Sequence, residues 1–176
     1  MGLSNGNFGT LDYLTESYVE SRGDVVVKNV HAGLNLHLKL KNPMQMGALV
    51  AVTQARQEDI DKALRNLHYV HFARFLPAAD YSALWVITVF DGAFDMESDP
   101  DAYVDSMRAY ITDFAATMGD IFTAILEFVE DAPRLPVQDY LTEFVDFVIA
   151  NDTKQVNPWS AYPQRTVIDI QKSRLP

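Results

Sequence analysis

The sequence predicts an α+β fold in which helices cover one face of an antiparallel sheet, and three observations lead there. Residues 33–41 alternate strictly, with Leu34, Leu36, Leu38 and Leu40 on one side and Asn35, His37, Lys39 and Lys41 on the other. That is the period of a half-buried strand. Residues 67–76 and 82–90 are two apolar runs joined by the short stretch 77–81, a connection that suits an antiparallel hairpin. A long segment from residue 103 to 128 places Met107, Tyr110, Ile111, Phe114, Met118 and Phe122 at i, i+3, i+4 spacing, which marks an amphipathic helix.

Residues 1–29 are polar and interrupted by glycine, and form an N-terminal arm with one short apolar run at 25–27. The alternating strand follows. Asn42 and Pro43 then supply a helix cap and a first-turn proline, and Met46, Val50, Thr53, Ile60 and Leu64 carry one helix to Asn66. The third strand, ALWVITVF at 83–90, is apolar on both faces and belongs in the middle of the sheet. Ser98, Asp99 and Pro100 open the long helix, and Pro133 and Pro136 end that region before a further helix at 137–150. Thr166, Ile168 and Ile170 alternate with Arg165, Val167 and Asp169 and predict a final strand.

The resulting order is a βαββαβ arrangement with an extra helix before the last strand, the split βαβ of a ferredoxin-like sandwich. It occupies residues 30–176 as a single domain. Two helices cover one face, and the apolar second side of the third strand calls for another cover. A second copy packed sheet against sheet supplies one, so a homodimer is expected.

Composition narrows the partners. With 176 residues, 48% of them hydrophobic, the chain can bury a sizeable core. Its formal charge of −10 and the lack of any basic stripe argue against nucleic acid and anionic membrane surfaces. Cysteine is absent, which removes disulfides, thiol nucleophiles and sulfur-based zinc sites. The first ten residues, MGLSNGNFGT, carry no secretory signal pattern, and no run approaches the roughly 20 apolar residues of a membrane helix. A cytoplasmic location is expected.

HFARF at 71–75, TVFDG at 88–92 and YITDF at 110–114 resemble a pattern of the dimeric α+β barrel superfamily, which includes dye-decolourising peroxidases, chlorite dismutases and small monooxygenases. The resemblance covers residues 34–128 and the final strand, and implies fold and dimerisation before chemistry. Dye-decolourising peroxidases have G-x-x-D-G where this chain has Thr88, Asp91 and Gly92, so the first glycine is replaced. The haem-binding members also have a proximal histidine on a downstream helix, and no histidine follows His71. The peroxidase-like, haem-binding reading is the weakest of those the resemblance offers, and no cofactor is predicted. The small monooxygenases make oxidation of an aromatic molecule the activity the resemblance implies.

The candidate chemistry gathers on the sheet. If Leu34 to Leu40 face the helices, Asn35 and His37 point to the other face. If Val70 and Phe72 also face the helices, Tyr69, His71 and Ala73 join them. His71, His37 and Tyr69 are therefore the candidate catalytic residues, with imidazoles to move a proton and a phenol to donate a hydrogen bond. Arg74, an arginine in an apolar strand, needs a carboxylate such as Asp91 or Glu127, or an anionic ligand. With Asn35, Trp85 and Thr88 it makes up the ligand-binding set. Two histidines without an inward carboxylate make an incomplete ligand set, so no metal is expected. The acidic run from Asp91 to Asp105 lacks the spacing of a calcium loop, and there is no G-x-S-x-G elbow or glycine-rich phosphate loop. Two functions follow: a homodimeric protein binding a small apolar or aromatic molecule on the sheet face, with or without oxidoreductase-like turnover, or an interaction module whose face is consumed by its partner.

Overall fold

The computed structural model describes residues 31–92, 100–153 and 160–173. The N-terminal arm and residues Ser98 and Asp99 lie outside them. The chain is α+β, with strands β1 (His31–Lys39), β2 (Val70–Pro77) and β3 (Ala83–Asp91) and helices α1 (Met46–Ala55), α2 (Gln57–Asn66), α3 (Pro100–Leu126), α4 (Leu141–Ala150) and α5 (Val167–Lys172). The sheet is antiparallel in the order β1-β3-β2, so the strand that is apolar on both faces is central as expected. Because β1 and β2 both run antiparallel to β3, they are parallel to each other and joined through α1 and α2.

The leucine alternation sets the core. Leu34, Leu36, Leu38 and Leu40 are at most 3% exposed, and they meet Leu84, Val86 and Phe90 of β3 beneath α3. Full burial of each such side chain contributes roughly 1.5–3 kcal/mol. Helix α3 runs unbroken through Gly119 and presents Met107, Tyr110, Ile111, Phe114, Met118 and Phe122 to this layer. A stacked pair, Tyr110 on Phe90 with ring centroids 3.8 Å apart, fixes helix to sheet. Helix α4 adds Phe144, Val145 and Val148 to the same core.

Two elements differ from the sequence reading. The helix expected from Asn42 to Asn66 is a 3-10 turn, Pro43–Gln45, followed by α1 and α2, which divide at Arg56 (φ −108°, ψ 12°). The predicted cap itself is present: Asn42 Oδ1 accepts from the Met44 amide at 3.0 Å. The larger difference is the final strand, which is the helix α5. Thr166 and Asp169 form a reciprocal capping box there, Thr166 accepting from the Asp169 amide and Asp169 from the Thr166 amide. Satisfying two orphan donors at the first turn favours helix over a strand with no neighbour to pair with. The place beside β1 is taken instead by residues after α4. The His37 amide donates to the Asn151 carbonyl, the Thr153 amide donates to the Asn35 carbonyl, and Leu36 bridges Asp152. The described sheet therefore has three strands, and β2 is its other edge.

Candidate functional site on the open face of the sheet

The face of the sheet turned away from α3 is set by strand parity. On β1 it carries His31, Asn35 and His37, and on β3 Trp85, Ile87, Val89 and Asp91, paired His37 with Trp85, Asn35 with Ile87 and His31 with Asp91. On β2 the parity breaks. Val70 pairs with Phe90, but Phe72 already pairs with Val89, so His71 is an extra residue in a bulge. The bulge turns Phe72, Arg74 and Leu76 to the open face and Ala73 and Phe75 toward the helices, which reverses the assignment expected for Phe72 and Ala73. His71 stays on the open face as the bulged residue, where its Nε2 lies 2.7 Å from Asp91 Oδ1.

This geometry separates the predicted catalytic residues. Tyr69 points to the helix side, where its hydroxyl donates to Asp113 Oδ2 at 3.1 Å and its ring meets Tyr110 edge-on. Burial, the leading cause, and the negative charge of Asp113 raise its phenol well above its ordinary value. His37 packs on Trp85 with centroids 4.5 Å apart. Its partner Trp85 lies six residues along β3 from Asp91, the partner of His71, which is roughly 20 Å. His71, His37 and Tyr69 thus occupy three places.

The ligand-binding candidates divide similarly. Thr88 is fully buried on the helix side and accepts a hydrogen bond from the Tyr110 hydroxyl at 2.9 Å. Asn35 is engaged at the β1 edge: its amide donates to Asp152 Oδ1 at 2.9 Å and its Nδ2 to the Thr153 carbonyl at 3.0 Å. Trp85 and Arg74 remain on the open face. Arg74 is exposed, its guanidinium carbon lies 5.4 Å from the centre of the Phe72 ring, and among the described residues it has no ion-pair partner. Neither expected carboxylate reaches it, since Asp91 is bound to His71. Phe72 and Leu76 flank it on β2, 44% and 48% exposed.

Two open hollows follow the free edge of β2. One, of about 310 Å³, is lined by Arg74, Ala73, Phe75, Ile60, Leu64 and Leu84, among others. The second, of about 320 Å³, is lined by Val70, His71, Phe72, Arg65, Val167 and Gln171, among others. Both lie at the rim of the sheet, not over its middle.

One member of the open face was outside the sequence candidates. His31 opens β1 two residues before the alternation at 33–41, on the same parity as Asn35 and His37, and its ring lies 4.2 Å from that of His71. The parity shared with His37 was the available signal. Asp91 connects this corner to α5, because its second oxygen accepts from the Val167 amide at 2.9 Å. The Asp91-Gly92 pair is thus a junction of sheet and helices: a Cβ on Gly92 would stand 2.7 Å from Ser106 Oγ of α3 and 3.0 Å from the Ala32 Cβ.

Among the described residues no helix is long and apolar enough to cross a membrane. Compared with known proteins, the chain matches no family model, no curated protein and no solved structure.

Proposed function

We propose that the chain binds a small, partly apolar or aromatic molecule bearing an anionic group at the β2 rim of its open sheet face. The observation that carries this is Arg74. It is an exposed cation without an ion-pair partner among the described residues, set between Phe72 and Leu76 and bordering a hollow of about 310 Å³. A guanidinium binds a carboxylate or sulfonate through paired N–H donors, and the flanking Phe72 ring and the apolar part of the hollow, Ile60, Leu64, Phe75 and Leu84 beside the polar Gln57 and Asp61, take the remainder of such a molecule. The hollow has the volume of a small-ligand pocket.

A titration with the aromatic anion anilinonaphthalene sulfonate, competed by naphthoate, tests the reading. Saturable binding displaced by naphthoate is expected, with Arg74→Gln weakening it roughly tenfold, the loss of one charge-assisted contact. Equal affinity of the wild-type and Arg74→Gln proteins would remove Arg74 from the site and with it the proposal. A second reading, that another copy of the chain covers this face, is favoured by the exposed Phe72 and Leu76.

A further inference from the structure

We propose that His31, His71 and Asp91 form a binding site for an exchangeable first-row divalent metal ion. The three come from the three strands: His31 at the start of β1, Asp91 opposite it at the end of β3, and His71 in the bulge of β2. One ligand atom from each lies within 4.8 Å of the others, close enough for small side-chain adjustments to bring all three onto one ion. His71 Nε2 and Asp91 Oδ1 are already 2.7 Å apart, and the two imidazole rings meet at 4.2 Å with an interplanar angle of 63°. Metal–nitrogen and metal–oxygen bonds are about 2.0–2.2 Å long. An ion at the centre would replace the direct contact between His71 and Asp91.

The donor set is chemically selective. Two neutral imidazole nitrogens and one carboxylate oxygen suit zinc, cobalt, nickel or ferrous iron, whereas calcium and magnesium prefer all-oxygen surroundings. Three protein ligands leave coordination positions for water or a ligand. The site also has the outer support that metal ligands need. The Val167 amide donates to the second oxygen of Asp91 at 2.9 Å, and the Arg165 carbonyl lies 2.8 Å from His31 Nε2. The His71 and Asp91 side chains are 14% and 16% exposed, and His71 lines the hollow of about 320 Å³, which provides access. The bulge leaves His71 on the open face, 2.7 Å from Asp91, while it turns over the faces of the residues that follow it on β2.

The site does not depend on the Arg74 proposal, and its test fails separately. Untagged, metal-stripped protein is titrated with Co2+ and with Zn2+, followed by visible ligand-field absorption and by calorimetry. One ion per chain is expected, with His31→Gln and His71→Gln each weakening binding roughly tenfold or more and the exposed His68→Gln leaving it unchanged. Histidine ring NMR of the unaltered protein gives a measurement that does not depend on how any variant folds. Zn2+ should shift the signals of His31 and His71 and leave those of His37 and His68 in place. Absence of saturable binding, equal shifts at all four histidines, or affinity unaffected by both His31→Gln and His71→Gln would overturn the proposal.

Discussion

Tyr110 shows how one residue ties the sheet to the helix above it. The residue is 3% exposed, its ring stacks on Phe90, and its hydroxyl donates to Thr88 Oγ1. Burial pushes the phenol above its ordinary ionisation range, so the donor stays protonated. Removing one partner leaves the other polar group buried and unmatched, which costs about 1–2 kcal/mol, whereas removing both leaves an apolar contact. Tyr110→Phe and Thr88→Val are each expected to destabilise the protein by that amount in urea unfolding, and the double variant by clearly less than their sum. A strictly additive result would show that the two groups are not coupled. Thr88 also shows a limit of legibility. A hydroxyl in an apolar strand suits either a ligand or a buried partner, and the residue that decides stands 22 positions later in another element.

At the scale of elements, periodic patterns were legible and exceptions to them were not. The leucine alternation of β1, the two-sided β3, the hairpin and the long α3 follow their expected forms because each is a repeated local signal tied to one buried face. The bulge at His71 is a single-residue insertion into pairing, and it reversed the faces expected of Phe72 and Ala73 without changing the composition of β2. The segment at 165–170 carried two competing signals, an alternation of three apolar residues and a Thr-x-x-Asp capping box, and the box prevailed. That box makes α5 sensitive to acid. The Thr166 hydroxyl and then the Thr166 amide, both bonded to Asp169, hold its carboxyl below the ordinary range, with Lys172 and Arg165 adding to the effect. A carboxyl depressed in the folded state stabilises it above the unfolded value, and that contribution is lost as pH falls through the folded one. The helical chemical shifts of residues 167–172 are therefore expected to fade below about pH 4 while those of α3 persist. Asp169→Asn should show weakened shifts at neutral pH and no acid step. A helix α5 indifferent to both changes would remove the capping box as its cause.

For the whole molecule the governing balance lies between the open face and the charge of the chain. Helices cover one side of the sheet, and on the other Phe72 and Leu76 are 44% and 48% exposed beside the part-buried Trp85, Ile87 and Val89. Burying such side chains against a second copy is favourable by roughly 25 cal/mol per Å² of apolar area, before the cost of association. The formal charge of −10 on each copy opposes this through long-range repulsion, which salt screens. A homodimer formed by this face should therefore tighten as salt is raised, the opposite of an association held by opposite charges. Sedimentation equilibrium is expected to show a mass near twice 19.8 kDa with the dimer fraction rising with sodium chloride. Leu76→Glu and Phe72→Glu, which place a charge on the face without touching the core beneath α3, should return the single-chain mass with an unchanged circular dichroism spectrum. If the wild-type chain kept its single-chain mass across the whole salt range, the face would not be a dimer interface. If it dimerised but both variants did so equally well, the contact would lie elsewhere on the molecule. Because Arg74 sits between the two substituted positions, the anion titration on the same variants separates the two uses of the face. Loss of the dimer with retained naphthoate binding assigns the ligand to each chain alone.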